Sequence, residues 1–423
     1  MGIWPVSKGS RLNRILTIRW SGQLTDGLFQ SALASFVLFS PERAPDAISA
    51  ALAFAVVLLP YSLIGPYVGT FLDRFSRQRI IRNCNYFRAA NLLIIAYLVN
   101  SGATGIILTI FVLLAFGVNR LILAGLSAGL PLLVKKEELI AANALAVTGG
   151  TIWVVIGGGI GIAAKNLVSQ NYGADFADSI VILLASIGFT IAALACYRLE
   201  KMEIGPLPHE QAYENQGFKE ILEGLKILKA HPDTLRGIAC VAMQRSGITA
   251  LTLMALLLER NTFNDPSDPD AGLAGFGIAL AIAGIGIALG AIVSPYGVLK
   301  FRSHRWMRFL MFGCIPPLLI YGYEVNKFTM IGSAFLVGLC GQGIKVTNDA
   351  LVQSKIKDEY RGRVFAFYDV AVNAGIVTGA IGAAFLLPDN GVTSLLPVII
   401  AAFYLFAALV LMRKSKFSAA ATN

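Results

Sequence analysis

Four charged side chains stand within long apolar stretches of this sequence, namely Asp26, Arg120, Arg245 and Lys345. A charge in an apolar setting is costly, so such residues usually face a cavity or an oppositely charged partner. Asp26 can carry a proton, because an apolar surrounding favours its neutral form and a nearby arginine favours its ionised form. The three bases can hold a negatively charged group. These residue types therefore indicate the binding of a proton and of an anionic compound.

Asp26 belongs to a polar stripe on its own predicted helix. Gln23, Asp26, Gly27 and Gln30 fall on one helical face, and this spacing predicts that the face lines a cavity. A structural interpretation remains open, in which Asp26 neutralises Arg120 as an ion pair between two helices.

A further group of charges is expected nearer the cytoplasmic ends of the later helices. Lys345 and Asp349 are four residues apart, so they can pair on one helix face. Asp369 can pair with Arg361 or Arg363. We interpret the last three residues, together with Asp349, as a charge network on the cytoplasmic side.

The elements that must position these residues follow from composition. The chain is 56% hydrophobic and only 14% charged, whereas a soluble domain carries roughly 25% charged residues. Continuous apolar runs of about 20 residues recur, and each can cross a bilayer as a helix, whereas a membrane barrel would alternate apolar and polar residues. The sequence therefore predicts an all-α polytopic membrane protein. Its twelve candidate spans lie near residues 17–40, 48–71, 80–100, 104–130, 139–166, 176–198, 234–258, 271–299, 305–323, 328–352, 363–387 and 392–412.

The basic residues alternate with these spans. The net charge is +10, and when the loops are assigned to alternate sides, most basic residues fall on one side and the other side carries mainly acids. The positive-inside rule then places both termini in the cytoplasm of a multi-pass protein of the cell membrane. Topology accounts for the charge without nucleic acid as a partner.

The chain divides into two similar halves. Residues 199–233 form the longest predicted cytoplasmic link, which separates a six-helix bundle at 1–198 from another at 234–423. Six plus six spans predict two bundles related by an axis along the membrane normal, with a central cavity between them. The halves also repeat at an offset of 228 residues, at which Gly69, Arg74 and Arg77 match Gly297, Arg302 and Arg305.

The link contains the stretch GFKEILEGLKILK, whose apolar residues fall on one helical face while the opposite face is charged. This pattern predicts an amphipathic helix that lies along the membrane surface as a spacer between the halves. The alternative is a helix that docks a partner.

The stretch GTFLDRFSRQR after the second span resembles the loop signature of the major facilitator superfamily, G-x-x-x-D-R-x-x-R. Gly69, Asp73, Arg74 and Arg77 occupy the signature positions. The resemblance implies twelve helices in two six-helix bundles, and it implies that this loop braces the cytoplasmic side when the protein opens outward. For the neighbouring Arg82 and Arg88 we expect topology alone to explain the charge.

Two further stretches resemble the branch of this family that contains macrolide-efflux and enterobactin-exporter proteins. They begin with NRLILAGLSAGL at residue 119 and with DALVQSKIKDEY at residue 349. Many antiporters of the family carry a Gly-Pro signature in the fifth span. This chain departs from that pattern, because the corresponding region reads VVIGGGIGIA and has no proline.

Other classes of protein are disfavoured by the absence of their motifs. The sequence has no GxxxxGK[ST] loop and no HExxH, so neither an ATP-driven pump nor an enzyme is predicted, and no cofactor or metal is expected. We predict a monomeric secondary active transporter that exports a small amphiphilic or anionic compound by alternating access, coupled to protons. Two alternatives stay open: an importer or lipid flippase on the same fold, and a non-transporting membrane receptor or assembly factor.

Overall fold

The computed structural model describes residues 10–34, 36, 72, 74–135, 139–206, 218–356 and 358–412. Throughout these ranges the regular structure is helical, and no strand is present in them. Close packing divides the described chain into two compact units, one that runs as far as residue 206 and one that begins at Phe218.

The first unit contains five described α-helices. They are α1 (Ser10–Leu33), α2 (Arg77–Asn100), α3 (Ile106–Gly129), α4 (Leu139–Ser169) and α5 (Ala174–Ala195).

The second unit contains eight described α-helices, the first of which is short and amphipathic. They are α6 (Phe218–Lys229), α7 (Pro232–Asn261), α8 (Pro269–Phe301), α9 (Ser303–Gly313), α10 (Ile315–Tyr323), α11 (Lys327–Lys355), α12 (Asp358–Leu386) and α13 (Leu395–Val410).

The helices coincide with the predicted spans. Apart from the span at 48–71, which lies outside the described residues, each predicted span overlaps a described helix. Seven of the described helices are long and apolar enough to cross a membrane. The predicted all-α polytopic membrane fold is thereby confirmed.

The predicted span at 305–323 is divided into two helices. Helix α9 ends at Gly313, and α10 begins at Ile315 with proline in its first turn. Pro316 and Pro317 have no backbone N–H to donate to the preceding turn, which favours the start of a new helix at this point. The Cys314 N–H still donates to the Leu310 carbonyl at 3.1 Å, so the two helices follow each other with little change of path.

Glycines bring α1 and α4 into backbone contact. A Cβ added at Gly157 would lie 1.9 Å from the Leu24 carbonyl oxygen, and one added at Gly27 would lie 2.1 Å from that of Val154. Small residues permit such approach between membrane helices, where dispersion and interhelical contacts drive association. The glycine run that replaces the expected Gly-Pro signature is therefore a packing surface.

The second unit repeats this arrangement between its own first and fifth spans, α7 and α12. A Cβ at Gly375 would lie 2.4 Å from the Ala242 carbonyl oxygen, and one at Gly379 would lie 2.1 Å from that of Ser246. The weak repeat in sequence thus corresponds to the same pairing of helices in each unit.

The amphipathic helix predicted in the link is present as α6, and it packs against α12. A Cβ at Gly224 would lie 2.2 Å from the Arg363 carbonyl oxygen, and Glu223 pairs with the Arg363 guanidinium at 3.0 Å. Leu228 is fully buried. Helix α6 is therefore part of the second unit, and the boundaries predicted at residues 198 and 233 stay predictions.

We expect Gly157→Ala to destabilise the protein and Gly159→Ala to be tolerated. The Gly157 methyl group would meet fixed backbone, whereas nothing lies within 4 Å of a Cβ at Gly159. Overpacking of this kind typically costs about 1–3 kcal/mol. Thermal unfolding of the two variants in the same detergent measures the difference. Equal midpoints for both would contradict the backbone contact between α1 and α4.

Candidate functional site

Asp26 forms a buried ion pair with Arg88. The Arg88 Nη2 donates to the Asp26 Oδ1, and the two residues are 1% and 3% exposed, respectively. The expectation that topology alone explains Arg88 is therefore wrong. Arg88 lies three turns into α2, where the helix has already entered the interior of the unit, and its side chain is directed at α1.

Arg88 also contacts two further helices. Its Nη1 donates to the Asn119 Oδ1 on α3 at 3.2 Å, and its guanidinium carbon lies 3.8 Å from the centre of the Phe189 ring on α5. Both of these partners are buried. One guanidinium thus joins α1, α2, α3 and α5 through an ion pair, a hydrogen bond and a cation–π contact.

The predicted partner Arg120 follows Asn119 on α3 and is half-buried. Asp26 is paired with Arg88, which lies on α2, one helix before Arg120. Sequence spacing could not distinguish the two arginines, because the choice depends on how α2 and α3 are rotated about their own axes.

The polar stripe on α1 is divided between two neighbours. Gln23 faces α4, since a Cβ added at Gly150 would lie 1.6 Å from its Oε1, and Gly27 also packs against α4. Asp26 faces α2 through Arg88. Gln30 is exposed. Within the described part of the first unit, only some of the predicted stripe is therefore open.

The pair constrains the chemistry of Asp26. Two charges removed from water are costly, and their attraction offsets this cost only when the geometry is good and other polar contacts are made. Loss of either charge would leave its partner buried among neutral groups. The ion pair therefore ties the packing of four helices to the charges of both residues.

We expect Arg88→Ala to destabilise the protein far more than Arg82→Ala. Loss of Arg88 leaves a buried carboxylate without its partner, at a cost of about 3–5 kcal/mol. Arg82 is half-exposed, bonds the neighbouring Asn83 side chain and lies 5.0 Å from the Tyr197 ring. Unfolding free energies in detergent measure the effect, and addition of Asp26→Ala to Arg88→Ala should recover part of the loss. An additive double variant would contradict the pairing.

The loop signature has one buried anchor among its described residues, Arg77. Its backbone N–H donates to the Gly205 carbonyl at 3.2 Å, and its Nη1 donates to the carbonyls of Ala128 at 3.3 Å and Ile204 at 3.4 Å. Arg74 is exposed. Gly69 and Asp73 lie outside the described residues, so the gate role of the signature stays a prediction.

The segment held by Arg77 is also bound to α1. Arg11 and Arg14 each lie 3.7 Å from a Glu203 carboxylate oxygen, and the Arg14 Nη1 donates to the Arg198 carbonyl at 3.0 Å. The chain after α5 is therefore fastened to the first turns of α1 and α2. The contacts of this segment fix the position of the first turn of α1 relative to that of α2.

The second-half copy of the signature joins α8 to α9. A Cβ at Gly297 would lie 2.2 Å from the Trp306 ring, which shows why a glycine is needed at this position. Arg302 has a φ of 63° and lies between the two helices. The glycine of the repeat thus permits close packing of α8 against α9.

We expect Arg77→Ala to loosen the segment after α5 and Arg79→Ala to leave it unchanged. Arg77 is buried and bonds two carbonyls of other segments, whereas Arg79 is exposed. Loss of two hydrogen bonds from a charged donor should accelerate trypsin cleavage after the exposed Lys201 about tenfold or more. Timed proteolysis followed by mass spectrometry measures the rate. Similar rates in both variants would refute the anchoring role.

The second unit holds its own polar cluster on α7 and α11. The Arg245 Nη2 donates to the Gln342 Oε1 at 3.0 Å, and the Lys345 Nζ donates to the Asp349 Oδ2 at 2.6 Å. The predicted pair of Lys345 with Asp349 is confirmed. Arg245 also interacts electrostatically with Asp349, so the two bases share one carboxylate.

Two residues of this cluster were not found from the sequence. Asn348 is fully buried, and its side-chain amide has no hydrogen-bond partner among the described residues. Tyr368 on α12 lies close to Asn348 and Asp349. A polar Asn one turn after Lys345 could have indicated this extension, whereas the tyrosine on another helix gave no local signal.

Arg361 and Arg363 of the predicted cytoplasmic charge network contact other helices, and the pairing of either one with Asp369 stays a prediction. Arg361 donates to the backbone carbonyls of Gln353 and Ile356 at the end of α11, and Arg363 pairs with Glu223 of α6. Asp369 is exposed. The two arginines thus fasten α12 to α11 and to α6.

Within the described ranges, no group of three or more His, Cys, Asp or Glu side chains could hold a metal ion. The described helices enclose ion pairs such as Asp26 with Arg88 and Lys345 with Asp349. An all-α membrane fold with acids and bases buried among its helices is typical of membrane transporters.

The family model described as Major Facilitator Superfamily matches residues 20–324, and the chain therefore belongs to that superfamily. It is 29% identical over 389 residues to an uncharacterized MFS-type transporter, Rv0037c, of Mycobacterium tuberculosis, with 89% of this chain and 85% of the relative covered. It is 21% identical to macrolide efflux protein A of Streptococcus pyogenes, with 88% of this chain and 89% of that protein covered.

Solved transporters share the fold. The nucleoside transporter NupG superposes with a TM-score of 0.67 at 14% identity, covering 96% of this chain and 98% of its own. A bacterial homologue of the iron transporter ferroportin, in an outward-facing state, superposes with a TM-score of 0.61 at 14% identity. The superposition covers 95% of this chain and 98% of the homologue. The predicted twelve-helix fold in two six-helix bundles is confirmed by the family and these likenesses.

Proposed function

We propose that the protein is a proton-coupled exporter of a small amphiphilic or anionic compound, which works by alternating access in the cell membrane with both termini in the cytoplasm. The observation that carries the proposal is the buried pair of Asp26 with Arg88. The similarity to macrolide efflux protein A supports export of an amphiphilic compound.

Asp26 serves as the proton carrier in this proposal. In its ionised form it holds Arg88, and Arg88 holds α3 and α5 through Asn119 and Phe189. When Asp26 takes up a proton, the pair loses its Coulomb attraction, and the four helices are free to adopt a second packing. A group that changes both charge and packing in one step is what coupling requires.

The positive charge of the polar cluster on α7 and α11 supports the proposal that the substrate carries an anionic group. Arg245 and Lys345 share the single carboxylate of Asp349, which leaves one excess positive charge in the described cluster. An anionic group bound there would restore neutrality in a setting of low dielectric. The substrate then combines this group with an apolar body.

The experiment is a proton-flux assay in everted membrane vesicles that hold an acidic interior. We expect a compound of the right class to discharge the gradient with the wild-type protein and to have no effect with Asp26→Asn, because an amide cannot carry the proton. The panel comprises macrolides, apolar organic anions and phospholipid analogues.

The control is Glu200→Gln, which neutralises an exposed acid in the same unit. It should transport like the wild type. Discharge by Asp26→Asn at the wild-type rate would remove Asp26 from the mechanism. If no compound discharges the gradient in any variant, proton-coupled export is excluded.

A further inference from the structure

Glu259 at the end of α7 is a carboxylate that has no contact with solvent. The residue is 0% exposed, although it lies only two positions before the last residue of its helix. Buried acids are costly unless they are paired and hydrogen-bonded. Its surroundings therefore decide whether it stays ionised.

The two carboxylate oxygens of Glu259 have different numbers of polar contacts. Oε2 lies 3.3 Å from the Lys327 Nζ and accepts a hydrogen bond from the Asn264 Nδ2 at 2.8 Å. Oε1 is buried and has no hydrogen-bond partner within the described ranges. Half of the carboxylate is thus stabilised as an anion, and the other half can accept a proton without loss of a contact.

The pair joins a buried acid to an accessible base. The Lys327 side chain is 41% exposed, while that of Glu259 is 0% exposed. Lys327 also begins α11, where the helix dipole disfavours a cation. The ammonium group can therefore move into water, whereas the carboxylate cannot follow it. Once Lys327 leaves, a buried anion remains, and protonation is the simplest way to remove its charge.

The other elements around Glu259 supply little to hold the anion. On α8, a Cβ at Gly275 would lie 2.1 Å from Oε2, so bare backbone packs against the carboxylate. On α10, the buried Tyr321 hydroxyl interacts with Glu259 and has no hydrogen-bond partner in the described part of the chain. On α7 itself, the Arg260 Nε donates to the Asn261 side chain. Lys327 is a base that the structure shows paired with the carboxylate.

A cavity lies one helical turn from Glu259. It has a volume of about 70 Å³, lies among α7, α8, α10 and α11, and includes Ala255 and Tyr321 in its lining. Ala255 is one turn from Glu259 on the same helix. A single water needs roughly 10–15 Å³ of such space together with polar partners, and the lining includes Tyr321, Thr252 and Ser333 among mainly apolar residues.

We propose that Glu259 is a second proton-binding site, in addition to Asp26, which is loaded when Lys327 moves away into water. The carboxylate takes one proton from water and becomes a neutral acid, while Lys327 stays an ammonium ion. The inference rests on the proposed proton coupling. It adds an accessible entry for the proton, since the Asp26–Arg88 pair is buried on both sides whereas the Glu259–Lys327 pair has an exposed base.

The test uses infrared difference spectra between acid and alkaline pH, recorded on the full chain reconstituted in phospholipid. Protonation of a buried carboxylate produces a C=O stretching band. We expect Glu259→Gln to lose one component of this band. Asp268→Asn should keep it, because Asp268 is an exposed acid that caps α8 and asparagine caps equally well.

Lys327→Met provides a second variant in which Glu259 is intact. Loss of the ammonium group should move the midpoint of the Glu259 component to higher pH by about one unit or more. This variant keeps the inference testable if Glu259→Gln does not fold. An unchanged band in Glu259→Gln, or an unchanged midpoint in Lys327→Met, would overturn the assignment.

The experiments can separate failure of the Glu259 site from failure of the proposed function. If the band titrates as expected but no compound discharges a proton gradient, the Glu259 site is upheld and proton-coupled export fails. If Asp26-dependent discharge is found and Glu259→Gln changes neither the spectrum nor the flux, export is upheld and this inference fails.

Discussion

The buried guanidinium of Arg88 is the interaction on which the described first unit depends. A single charged group in an apolar interior must be compensated in every direction in which it points. Arg88 meets this requirement with a carboxylate on α1, an amide on α3 and an aromatic face on α5. Because each of these groups comes from a different helix, the helices cannot rotate independently without exposing part of the charge.

The two units use the same pairing of helices for different chemistry. In each, the first and fifth spans meet at glycines that place backbone against side chain or backbone. The first unit places an acid and an arginine beside this contact. The second places two bases with one acid on α7 and α11. The two units therefore share a scaffold and differ in their polar groups.

The fold was largely predictable from the sequence, because the membrane demands continuous apolar runs and basic residues mark their ends. The division of the span at 305–323 was also visible in its two adjacent prolines, although it was not predicted. Local pairing was predictable where both partners share a helix, as with Lys345 and Asp349. The partner of Asp26 was not, since the rotation of α2 about its axis is decided by packing, and apolar residues surround that helix on several faces. Glu259 was overlooked because it stands at a helix end, where an acid is normally solvated.

Glycine contacts between α1 and α4 also have a mechanical consequence. Side chains that interdigitate can exchange rotamers and allow two helices to slide, whereas a carbonyl oxygen set against a bare Cα has no alternative position to adopt. Helices α1 and α4 should therefore tilt together as one rigid body. A displacement that begins beside Asp26 would then reach the far end of α4 undiminished, without any chain of side chains to transmit it.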